Sequence, residues 1–380
     1  MTGAPGAPPA PVYLDHNATT PVLPEVFEAM RPWFVERWAN PSSTHTEGVA
    51  ARRAIDAARE QVASLIGAQA SEIVFTGSGT ESSNLAIRGA FERSEAMRVV
   101  ITAIEHPATV EPARHLESGR AMLTRLRVDA SGRTVVPHGL PSDTAVLSVM
   151  HANNETGVIQ PVRELAALAR LHEAVVHCDA AQSLGKIPVD VRDLDVDLLT
   201  IAGHKLYAPK GVGALYVRRG LDLAPVLRGA GHERGLRPGT ENVPGIVGLG
   251  VACALAEADL HELSARLERQ RDLLWGLLHT GVPELVVNGA GPRLPNTLNV
   301  RFPGVSGNAL LAACPEIAAS TGSACHGDRE SASAVLLEMG IPAQEALGSV
   351  RLSLGRHTSD AELERAASAL IAAWRNLARG

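Results

Sequence analysis

Aromatic residues are scarce in this chain: Phe, Trp and Tyr make up 3% of its 380 residues. A surface of interleaved rings for stacking bases is therefore not expected. Basic blocks are missing too, and the formal net charge is -6, which argues against nucleic acid as the main ligand. Only four cysteines occur (Cys178, Cys253, Cys314 and Cys325), and they lack the paired short spacing of zinc or redox motifs. So few thiols suit a reducing, cytoplasmic setting. No apolar run reads as long enough to cross a membrane, and Met1 to Ala10 lacks the basic and apolar regions of a secretion signal. Residues 1–10 read as a disordered tail.

What is present is an ordinary globular composition, 45% hydrophobic, on a chain long enough for two domains. Between about residues 50 and 220, short apolar runs alternate with helical patterns. Glu72–Thr76, Arg98–Ala103, Ala145–Met150, Val175–Asp179, Asp197–Ile201 and Gly213–Val217 read as strands. Leu165, Leu168 and Leu171 at near-helical spacing predict a helix over 161–174, with Pro161 in its first turn. Strands separated by helices imply right-handed crossovers and a mostly parallel sheet, whose ligands collect beyond the strand C-terminal ends.

Past residue 250 the pattern changes. Leu260, Leu263, Leu267, Leu274 and Leu278 predict one long amphipathic helix. Glu284–Asn288, Thr297–Phe302, Ile317–Thr321 and Val350–Leu354 read as further strands, and Ser359 with Glu362 forms a capping box that opens a final helix. The expected class is α/β: a large domain over residues 11–250 with a mostly parallel sheet, then a smaller C-terminal α+β domain over 251–380.

Strand ends carry the chemistry. Lys205 follows an apolar run in Gly203-His-Lys205. Partial burial there lowers an amine's pKa and frees it for a Schiff base with a carbonyl or pyridoxal phosphate; a solvated strand cap is the competing reading. Gly77-Ser-Gly-Thr-Glu81 joins a strand to a helix and offers free N–H groups to a phosphate. Asp179 closes a buried strand, where a protonated pyridine nitrogen is one partner for it and a helix-capping role another. Gln182 lies three residues on, within reach of a cofactor's phenolic oxygen. His106 ends another strand, placed to stack on a ring or shuttle protons, or simply to close a turn. Cys325 sits in the small, polar run Ser320-Thr-Gly-Ser-Ala-Cys325, which reads as a loop where a thiolate is accessible. Cys178, Cys253 and Cys314 read as buried thiols. Arg351, in a strand-like stretch, suits a clamp on a substrate carboxylate or a salt bridge.

These segments occur in a familiar order. Tyr13-Leu-Asp-His-Asn-Ala-Thr-Thr-Pro21, Asn40-Pro-Ser-Ser-Thr-His45, Gly77–Glu81, Met150-His-Ala-Asn-Asn-Glu155, Asp179-Ala-Ala-Gln182, Gly203–Lys205, Gly231–Thr240, Ser320–Cys325 and Arg351-Leu-Ser-Leu-Gly355 resemble the pyridoxal-phosphate-dependent cysteine desulfurases of the class V aminotransferase fold. The resemblance implies the aspartate aminotransferase-like fold of pyridoxal-phosphate enzymes and removal of sulfur from L-cysteine. By this similarity Lys205 carries the cofactor, and Asp179 pairs its pyridine nitrogen. Gln182 contacts the phenolic oxygen, His106 stacks on the ring and Asn154 sits beside it. Gly79, Thr80 and His204 hold the phosphate, Thr240 reaches the phosphate of a neighbouring subunit in a homodimer, and Arg351 with Asn154 receives the substrate. Cys325 takes up sulfur as a persulfide for an acceptor protein, either an iron–sulfur scaffold or a tRNA-thiolation enzyme. Transamination and selenocysteine lysis on the same cofactor are the alternatives, and no metal, membrane or direct nucleic-acid role is implied. One departure stands out: many relatives carry a phosphate-binding serine where this chain has Ala202, with Thr200 or a backbone group as the expected substitute.

Overall fold

Seven short strands, most of them buried on both faces, form the central sheet. The computed structural model describes residues 11–322 and 331–379, so Cys325 lies outside the described residues. Across the sheet the order is Ile73–Thr76, Gly213–Val217, Leu198–Ala202, Val175–Asp179, Thr144–Met150, Arg98–Thr102 and Met122–Leu126. Gly213–Val217 alone runs against its neighbours; the other four pairings are parallel. The mostly parallel α/β sheet expected from the alternating pattern is therefore present. Strands covered by helices on both faces need no polar alternation, which is why they read as continuous apolar runs. The missed strand, Met122–Leu126, lies at the sheet edge, where Met122 is exposed and Thr124 and Arg125 interrupt the apolar pattern.

Register brings the chemistry to one edge. Thr76 pairs with Gly213, which in turn pairs with Ala202, and Asp179 pairs with both Met150 and Thr200. The turns after Thr76, Thr102, Met150, Asp179 and Ala202 therefore open side by side.

Helices follow the expected caps, with shifts at their ends. Val162–Arg170 has Pro161 at its N-cap but stops short of the predicted end, leaving Leu171 74% exposed. Asp360–Leu377 opens on the capping box, with the Ser359 N–H donating to Glu362 Oε2 at 2.8 Å. The long helix runs over Val243–Gly281, beginning seven residues before the 250 boundary. By length and composition it is apolar enough to cross a membrane, contrary to the sequence reading. Pro244, three glycines and several alanines break up the leucine pattern in its first half. About half of that apolar stretch is buried inside the protein, and Met30 and Ala58 pack against its Gly248 and Gly250. It is a core helix of this fold.

A second, three-stranded antiparallel sheet joins Ser349–Ser353, Thr297–Arg301 and Val286–Val287. Its core gathers Leu274, Leu298, Leu352 and Leu370, and also takes in Val12 and Leu14, because Val12–Tyr13 pairs in parallel with Ile317–Ala318.

One buried ion pair secures the 230s loop to the sheet. Arg59 meets Glu233 through two hydrogen bonds of 2.8 and 2.7 Å, and the Phe75 N–H donates to the same carboxylate at 2.8 Å. Arg59→Met leaves that carboxylate buried without its cation. The expected cost is about 3–5 kcal/mol, measured as a lower urea midpoint with the denaturant slope unchanged; a midpoint within error of the parent would contradict it.

Candidate active site

A cavity of about 270 Å³ opens beyond these strand ends, lined by Gly79, Thr80, His106, Asn154, Asp179, Gln182, His204 and Lys205. They come from the five strand ends at Thr76, Thr102, Met150, Asp179 and Ala202 and the turns or helices that follow them. The helix Gly79–Arg93 is capped by Ser78, whose Oγ accepts the Glu81 N–H at 3.1 Å. Its first N–H groups, at Gly79 and Thr80, remain at the cavity with the positive end of the helix dipole.

Asp179 is buried, and its Oδ1 accepts the Ala181 N–H at 2.9 Å. Burial pushes its pKa up, while nearby His106 and Lys205 pull it down. His106 caps the helix Pro107–Glu117: its Nδ1 accepts the Ala108 N–H at 3.1 Å, so a neutral ring carries its proton on Nε2. Burial, opposed by Asp179 and aided by Lys205, lowers its pKa. Lys205 donates to the carbonyl oxygens of Asn17 (2.5 Å) and Ala18 (2.8 Å). Burial first, and then Arg351, pushes its ammonium down to about 8. His204 meets Thr19 Oγ1 at 3.1 Å and is pushed down to about 4 by burial and then by Lys205.

Ala202 faces the phosphate turn, and a Cβ on Gly79 would stand 3.0 Å from the Ala202 Cβ. Thr200 does not replace the missing hydroxyl. Its Oγ1 is taken by His177 Nε2 at 2.9 Å and Ser83 Oγ at 3.2 Å, and its methyl faces Gly79.

Two of the expected residues that the structure describes do not line the cavity. Arg351 is buried behind it, donating to the Asn154 carbonyl at 3.0 Å and to Asp15 at 2.6 Å. Of the two sequence readings of Arg351, the ion pair is present, with Asp15, and its Nε is buried without a partner. Thr240 is exposed, away from this cavity. Cys325 is outside the described residues. The other three cysteines are buried. Burial pushes Cys253 up to about 12, Cys314 to about 11, and Cys178 well above its ordinary value, so none is a ready thiolate. An open hollow of about 500 Å³ is lined by Arg52, paired with Glu241, by Arg59, paired with Glu233, and by His232 and Arg234.

Two residues of the site were not singled out in the sequence. Asn17, almost wholly buried, accepts from Lys205 and Gln182 on its backbone oxygen and donates from Nδ2 to the Asn154 carbonyl and Thr297. Its only sequence signal is its place in Tyr13–Pro21. Glu105 is buried beside His106; its Oε1 accepts from Thr102 and the Met150 N–H, and burial pushes it up to about 8. A neutral carboxyl there spares Asp179 a like charge.

The chain is similar to known proteins over most of its length. The family model for class V aminotransferases matches residues 12–366. A cysteine desulfurase of Trichormus azollae is 44% identical over 361 residues, covering 93% of this chain and 90% of that protein. Cysteine desulfurase IscS of Anaeromyxobacter dehalogenans is 45% identical over 365 residues, covering 94% and 90%. Among solved structures, a NifS-like protein superposes with a TM-score of 0.89 at 34% identity, covering 97% of this chain and 100% of its own. SspA in complex with cysteine does so with a TM-score of 0.81 at 36% identity, covering 91% and 99%. The chain belongs to the class V aminotransferase family, within its cysteine desulfurase branch.

Proposed function

We propose that the protein removes sulfur from L-cysteine with pyridoxal phosphate, releasing alanine and leaving a persulfide on Cys325 for an acceptor protein. The observation that carries this reading is the meeting of Lys205, Asp179 and the Gly79 helix start in one cavity. The residues fit the cofactor. Asp179 is a buried carboxylate with no ion pair among the described residues, which a protonated ring nitrogen would supply. The free N–H groups of Gly79 and Thr80 suit its phosphate, and the His106 ring stands ready to cover one face of its ring.

When bound, pyridoxal phosphate supplies an electron sink that loosens bonds at the substrate's α and β carbons. Lys205, at about 8, is matched to moving the proton at the substrate Cα near neutral pH. His106 presents its Nε2 proton to the same space. Arg351 takes the substrate carboxylate by exchanging Asp15 for it, a swap its fork geometry allows. The Cys325 thiolate attacks the substrate sulfur and the C–S bond breaks. L-Cysteine plus a thiol gives alanine plus a persulfide, so no external oxidant is needed. Support for cysteine as substrate comes from the desulfurase relatives and from SspA, a similar structure in complex with cysteine.

Thr240, exposed and away from its own cavity, suits contact with a second copy of the chain in a homodimer. A cytoplasmic setting and an iron–sulfur scaffold or tRNA-thiolation acceptor complete the reading. Amino-acid profiling with product analysis tests it. Alanine and reducible sulfur from L-cysteine are expected; a keto acid as the main product would indicate an aminotransferase, and turnover confined to selenocysteine would indicate a lyase for that substrate.

A further inference from the structure

Lys186 is buried four residues beyond Gln182 and does not line the cavity. The chain returns it there through Gly185, at φ +69°, where a Cβ would stand 2.7 Å from Leu206 Cδ2. Its ammonium donates to the Gln182 carbonyl at 2.9 Å, to Gln182 Oε1 at 3.1 Å and to Asn17 Oδ1 at 3.5 Å. An ammonium offers donors only, and the Asn17 backbone oxygen, 3.0 Å from Gln182 Nε2, can only accept. The two partners therefore fix which end of the Gln182 amide is oxygen. Nε2 gives one hydrogen to Asn17 and keeps the second for the cavity that Gln182 lines.

That choice matters for a cofactor bearing a phenolic oxygen. A carbonyl oxygen turned toward it would repel a phenolate, whereas an N–H stabilises one. We propose that Lys186 is a positioning residue, which holds the Gln182 amide so that the cofactor's phenolic oxygen meets an N–H donor. This inference rests on the pyridoxal phosphate reading above. The charged groups around Lys186 are Lys205, Arg351 and, when protonated, His16. Burial first, and then Lys205 and Arg351, pushes the Lys186 ammonium down to about 7. A neutral amine still has two N–H bonds, so the hold on Oε1 survives the loss of its proton.

The test uses the full chain and added pyridoxal phosphate, with two readouts that do not involve turnover: the dissociation constant of the cofactor and the pH midpoint of its visible absorption. Lys186→Met removes the donor and a buried charge while filling the space. It should raise the midpoint by about one unit and weaken cofactor binding about tenfold. Lys186→Gln, which keeps an N–H donor, should shift the midpoint less than half as far. In a Gln182→Leu background, Lys186→Met should change neither value further, because the amide it orients is gone. Parental values in Lys186→Met, or equal changes in both backgrounds, would overturn the proposal and leave the cofactor reading standing. A parent protein with no visible band at all would instead sink the cofactor reading, and the role of Lys186 with it.

Discussion

Lys205→Ala protein gives no visible band with pyridoxal phosphate and turns over L-cysteine at least about 10³-fold more slowly than the parent. The size of this effect follows from the absence of any substitute: Lys205 is the only lysine among the described residues that line the cavity. Lys186, the nearest buried amine in this network, is spent on Gln182 and Asn17. The parent's cofactor uptake carries a signature of the same amine. With the Lys205 ammonium lowered to about 8, its free form rises tenfold per pH unit below that value and levels off above it. The uptake rate should follow that curve. A profile flat from pH 6 to pH 9, or a visible band retained by Lys205→Ala, would contradict the assignment.

Cys325→Ser separates the cofactor from the sulfur chemistry. The variant should bind pyridoxal phosphate as the parent does, yet deliver sulfur to an acceptor at least about 10²-fold more slowly. A hydroxyl at this position is a far weaker nucleophile toward sulfur than a thiolate. Cys178, Cys253 and Cys314 offer no rescue, since burial holds all three as thiols. Mass analysis after exposure to L-cysteine reads the outcome, with an added sulfur on the parent and none on Cys325→Ser. Full-rate delivery by the variant would place the sulfur carrier elsewhere.

Much of this site was legible because its residues sit at local boundaries. Val175–Asp179 reads as a strand since both its faces are buried, and an acid at the end of such a run is conspicuous. Lys205 and His106 are marked in the same way. Pairings made across the fold leave little local trace. Asn17 resembles any turn asparagine, although its contacts reach Asn154, Gln182, Lys205 and Thr297. Glu105 lies beside His106 in the same segment, and buried contacts with the Thr102 hydroxyl and the Met150 N–H separate it from a solvated strand-end acid. The edge strand Met122–Leu126 is only partly covered, with Met122 and Arg125 exposed, and so lacks the apolar run that marks its neighbours. At Arg351 the sequence allowed either a clamp or an ion pair, and only the pairing with Asp15 is a contact within the chain itself.

The most direct test is one incubation of the purified protein, loaded with pyridoxal phosphate, with L-cysteine and no acceptor or reductant. Alanine and protein-bound persulfide should form in equal amounts in the first turnover, with the persulfide on Cys325. Pyruvate or another keto acid without persulfide, or no reaction while the visible band is present, would contradict cysteine desulfuration by this site.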